Sequence, residues 1–141
     1  MHDVHFVWKP EYDVGIKDID DQHHYFAGLI NKFIAELWGT RPDEYQRQLV
    51  AELNAYARFH FISEENLMLR CSYPLLAEHR AHHLQLLDEL SAKQTRLALE
   101  KTEQRKKEMV DYLIRWFINH TTKEDLLLAN YLHGAPATDP A

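Results

Sequence analysis

A chain of 141 residues, 45% hydrophobic and 27% charged, has the length and balance of one soluble domain, which excludes a multidomain assembly. Its formal charge of −6 and pI near 5.9 provide no basic face for a phosphate backbone, so no nucleic-acid partner is expected. The single cysteine, Cys71, rules out an internal disulfide and a thiolate cluster, and no stretch has the makings of a secretory leader or a membrane span; the sequence predicts a cytoplasmic protein.

Residues 1–17 hold Trp8, Pro10 and Gly15 without a sustained helical period and read as an irregular N-terminal arm. From Asp20 to Trp38 apolar residues recur helically as Phe26, Leu29, Ile30, Phe33, Ile34 and Leu37, and Gly39 supplies a stop. Thr40 is a candidate N-cap for a second helix with Pro42 in its first turn, and the pattern Leu49, Leu53, Tyr56, Phe59, His60 and Leu67 carries it to Arg70. Tyr73 and Pro74 restart the chain, and Leu76, His79, His83, Leu86, Leu87 and Leu90 share one face of a third helix. A cap at Thr102 opens the fourth, with the stripe Met109, Leu113, Trp116, Phe117 and His120, while residues 134–141 read as a disordered tail. Long helices, short connections and no strand-like alternation predict an all-α fold, an up-down-up-down antiparallel four-helix bundle over residues 1–133.

The compositional oddity is ten histidines. His60 and Glu64 lie four apart on the second helix, and His79 and His83 four apart on the third, so each pair shares a helical face with its apolar stripe. His23 precedes the stripe of the first helix, His120 lies on that of the fourth, and Asp125 follows five residues later. Burying these seven groups unpaired costs several kcal/mol each, and a metal centre removes that cost. Imidazole with carboxylate and no thiolate suits iron, manganese or zinc, and so many ligands exceed the need of one ion. With a bridging oxo or hydroxo group and bridging carboxylates, two six-coordinate ions are left with one open position, suited to a small ligand. His24 and His82 are turned about 100° from the ligands beside them and, with His2, His5 and His133, are expected at the surface.

One spacing conflicts with a regular helix. Five residues advance an ideal α-helix by about 500°, which leaves His120 and Asp125 about 140° apart. A local irregularity, such as a π-type widening, is therefore predicted between them. Because imidazole binds a metal only when neutral, acid is expected to release the metal and, by charging the buried histidines, to unfold the chain.

Over residues 8–131 the sequence resembles the hemerythrin family, in particular its single-domain bacterial members. The likeness rests on W-x3-Y-x-VGI-x2-ID-x-QH from Trp8 to His23, HF-x2-EE from His60 to Glu65, Tyr73-Pro74, H-x3-H at His79 and His83, and W-x3-H-x4-D from Trp116 to Asp125. The resemblance implies two non-haem irons per chain: His79, His83 and His120 on one, His23 and His60 on the other, with Glu64 and Asp125 as bridges. It implies reversible O2 binding by an oxygen carrier or store, not an enzyme, as a monomer with room for an O2-consuming protein partner. Two departures stand out. Where the family often has an aliphatic residue after the last tryptophan and isoleucine after the last histidine, this chain has Phe117 and Thr121; by resemblance Phe117 lines the O2 pocket, and Thr121 carries a hydroxyl able to bond back to the helix. The alternatives are a di-iron oxidase or peroxidase and an O2 or redox sensor. No histidine follows a glutamate by three residues, the pattern of carboxylate-rich di-iron oxygenases, which favours the carrier.

Overall fold

The computed structural model describes residues 6–134, so the expected tail beyond Gly134, together with His2 and His5, lies outside the described residues. The chain forms α1 (Lys17–Leu37), α2 (Asp43–Arg70), α3 (Leu76–Leu99) and α4 (Glu103–Asn119), then a π-helical segment (His120–Asp125) that runs into α5 (Leu126–Leu132). Connections of only a few residues at 38–42, 71–75 and 100–102 turn each helix back beside its predecessor, and α4 also packs on α1, closing a four-helix bundle. There is no strand among the described residues, and no helix there is long and apolar enough to cross a membrane.

Local chemistry sets most of the boundaries. Thr102 caps α4 as expected, its Oγ1 accepting from the Arg105 N–H at 3.2 Å. Thr40 does not cap α2: the N-cap is Pro42, whose extended ψ of 148° delays the helix to Asp43, and Asp43 and Glu44 meet the positive end of its dipole. The third helix likewise begins at Leu76, later than Pro74 suggests. Gly39 is not a left-handed cap, since among the described residues positive φ occurs only at Gly15, Ser72 and Gly134; α1 stops at Leu37 and hands over to Trp38.

The arm is held by its backbone. Asp20 accepts from the Val14 N–H at 2.7 Å and the Gly15 N–H at 3.1 Å, while Asn31 bonds both the N–H and the carbonyl of Phe6. That clamp needs Gly15 at φ +92°, where a side chain would be strained and a Cβ would also meet His133. The clamp lays Phe6 and Trp8 against Phe117, at ring separations of 5.3 and 5.7 Å.

Candidate metal centre

All seven predicted ligands point into the middle of the bundle and are at most 5% exposed. Helix α1 supplies His23, α2 supplies His60 and Glu64, α3 supplies His79 and His83, and the π segment supplies both His120 and Asp125. The irregularity predicted from the mismatch of their spacing is thus present: the widened turn runs from one of these residues to the other.

The two carboxylates divide the cluster into halves. Glu64 Oε1 lies 2.9 Å from His83 Nε2, 3.3 Å from His120 Nε2 and 3.5 Å from His79 Nε2, while its Oε2 lies 3.4 Å from His60 Nε2. Asp125 repeats the division, with Oδ1 3.1 Å from His120 and 3.5 Å from His79, and Oδ2 2.8 Å from His23 and 3.8 Å from His60. Two sets of groups could each hold an ion, Glu64 with His79, His83 and His120, and His23, His60, Glu64 and Asp125. The donors fit a cation better than they fit one another. His79 Nε2, Glu64 Oε2 and both Asp125 oxygens are buried without a hydrogen-bond partner although ring nitrogens and carboxylate oxygens stand close by, the relation of atoms that share a third partner.

Residues outside the cluster fix two of the rings. Gln22 donates to Ser63 Oγ at 3.0 Å, so its carbonyl accepts from His60 Nδ1 at 2.8 Å and leaves Nε2 facing the cluster. Glu65 accepts from His83 Nδ1 at 3.0 Å and is itself held by Arg80 at 3.1 Å. Sequence reasoning gave Gln22 and Glu65 no such role. The available signal was adjacency, each standing next to a ligand and turned onto the neighbouring helix.

Without a metal the cluster balances its own charge. Burial opposes a charged His60, but Glu64 and Asp125 outweigh it and push its pKa up to about 10. His79, pushed up to about 10, and His120, to about 9, follow the same balance of burial against those carboxylates. For Glu64, burial is outweighed by His60 and His120, and its pKa lies well below the ordinary value; Asp125 is also lowered, by His120, against burial and the Glu64 charge. His23 alone of these rings is lowered, by burial.

These directions run against the expectation that charging the histidines unfolds the chain, because Glu64 and Asp125 favour protonated rings in the metal-free form. The histidine contribution to stability is complete below about pH 6.5 and lost as pH rises toward 9–10, and the carboxylate contribution is lost only as pH falls below about 4. Metal uptake at neutral pH must displace protons from His60, His79 and His120. Loading the metal-free protein in weak buffer should therefore acidify it, and apparent affinity should climb with pH and level off near pH 10. Calorimetry in buffers of different ionisation enthalpy measures the protons released; a value near zero contradicts this account.

A cavity of about 10 Å3 adjoins His23, His60 and His120 and is otherwise walled by Phe26, Ala57, Phe61, Trp116, Phe117 and Thr121. That is room for about one water molecule. Phe117, predicted to line such a pocket, stands 5.4 Å from the His23 ring and stacks on Phe26 at 5.4 Å. Thr121 does not bond back to the helix; its hydroxyl has no partner, and Thr122 makes that bond instead, to the Ile118 carbonyl at 2.8 Å. Of the histidines expected at the surface, His24 is exposed and bonded to Asp13 at 2.9 Å, and His133 is exposed. His82 is half-buried and stacks on His120 at 5.7 Å, covering the outer face of that ring.

The profile of the hemerythrin HHE cation binding domain matches residues 14–132. The chain is similar to a bacteriohemerythrin of Clostridium acetobutylicum, 29% identical over 126 residues that cover 85% of this chain and 95% of the relative. It is also similar to those of Stenotrophomonas maltophilia, 28% identical over 88% of this chain and 79% of the relative, and Methylococcus capsulatus, 27% identical over 83% and 88%.

Proposed function

The chain belongs to the hemerythrin family, and from that premise we propose that it is an oxygen carrier or store that binds O2 reversibly at two irons bridged by an oxo or hydroxo group. His79, His83 and His120 would hold one iron and His23 and His60 the other, with Glu64 and Asp125 available to both. When bound, two ferrous ions would supply the two electrons that O2 takes up and would regain them when O2 leaves. The observation that carries the reading is the pairing of two metal-capable sets through Glu64, beside one small cavity lined by His23, His60 and His120 and otherwise mostly apolar.

The protein's own residues do the rest. Gln22 and Glu65 keep the His60 and His83 rings turned with Nε2 toward the cluster. Phe26, Phe61 and Phe117 keep water and protons from the ligand. A cavity with room for about one water molecule favours a very small ligand over an organic substrate, and so the carrier over an oxidase.

The test is the visible spectrum of the reduced, iron-loaded protein moved repeatedly between argon and air. A charge-transfer band that comes and goes over several cycles is expected. Oxidation that proceeds once and does not return contradicts the carrier and favours an enzyme or a sensor.

A further inference from the structure

Thr121 follows His120 in the π segment, is 1% exposed, and lines the cavity shared with His23 and His60. A helical threonine can return its hydroxyl to the carbonyl four residues back, as Thr122 does. Thr121 does not, and its buried Oγ1 is left without a partner. A hydroxyl stripped of water and given nothing in exchange is a net cost to the fold. Apart from the rings of the candidate ligands His23, His60 and His120, the remaining wall is apolar but for Trp116, whose unpartnered indole N–H belongs to a side chain that also lines an outer groove beside His82 and Tyr112. Thr121 is therefore the polar wall residue that is neither a candidate metal ligand nor shared with that groove.

We propose that Thr121 is the hydrogen-bond donor of the ligand cavity, kept for the acceptor end of a small ligand of two or three atoms. It biases the cavity toward anionic or strongly accepting ligands over apolar ones of equal size. The inference rests on the reading that a small ligand enters beside His23 and His60, but it does not require that O2 uptake be reversible.

Azide is the probe, titrated into the oxidised, iron-loaded full-length protein and followed by its visible band and infrared stretch. Thr121→Val keeps the branched shape and removes the hydroxyl; its azide affinity should fall about tenfold, while Thr121→Ser should stay within about threefold of the parent. The azide stretch should shift between H2O and D2O in the parent and in Thr121→Ser, and not in Thr121→Val. The metal-free proteins supply an independent readout. If the hydroxyl serves a ligand and not the fold, metal-free Thr121→Val melts at or above the temperature of the parent. Unchanged azide affinity in Thr121→Val, no azide binding by the parent, or a lower melting temperature of the metal-free variant overturns the proposal. Since azide binding involves no oxygen cycling, failure of the carrier reading and failure of this one are separately visible.

Discussion

Glu64→Ala should empty both halves of the centre, taking bound metal per chain from two ions to near none. Glu64 faces His79, His83 and His120 with one oxygen and His60 with the other, so its loss takes a ligand from each ion at once. The variant should also be less stable without metal. With Glu64 gone, the rings of His60, His79 and His120 keep only Asp125 as counter-charge, and breaking a buried ion pair costs about 3–5 kcal/mol. Elemental analysis checks the first effect, and denaturant unfolding of the metal-free protein the second. Glu64→Gln preserves the packing and separates lost charge from lost volume. Retention of one ion per chain in either variant contradicts the bridging role.

Phe117→Ala should do two things that can be measured apart. The ring is 4% exposed and meets Phe6, Trp8, His23 and Phe26, so truncation should cost ~3–5 kcal/mol of stability, the range for a large core aromatic. It should also join the cavity to the space beneath the arm, admitting water, and the oxygenated band should decay several-fold faster. Phe117→Leu keeps most of the packing and should alter both only modestly. Equal decay rates in the three proteins, measured where each is folded, leave Phe117 with packing alone.

What the sequence disclosed depended on whether one helix was enough to read it. Every residue of the first stripe, Phe26, Leu29, Ile30, Phe33, Ile34 and Leu37, is buried, because α1 is polar on its remaining faces. Helix α2 carries Tyr56, Phe59, Phe61 and Ile62 around more than one face, and there the phase was misread: Phe59 is exposed, while Ala57, Phe61 and Met68 are buried. The paired spacings of His60 with Glu64 and His79 with His83 are one-helix facts and were legible. So was the mismatch between His120 and Asp125, which required a widened turn. The cavity walls, the support of His60 by Gln22 and of His83 by Glu65, and the covering of His120 by His82 arise from the rotation of one helix against another, and no spacing within a helix encodes that.

A π turn is what a single extra residue makes of an α-helix. Wound as a regular α-helix with the same residue count, the stretch would let α4 run into α5 with better backbone bonding, and would swing Asp125 about 100° off the cluster. For this residue count the best helix and the best placement of the carboxylate thus differ by one widened turn, and the chain keeps the placement. Everything beyond inherits the offset, since Leu128 and Ala129 are buried in phase with Asp125 and not with Trp116. In this stretch an exposed residue such as Lys123 matters as a unit of length: it is what the widened turn absorbs, and without it His120 and Asp125 would stand four apart on one face of a regular helix.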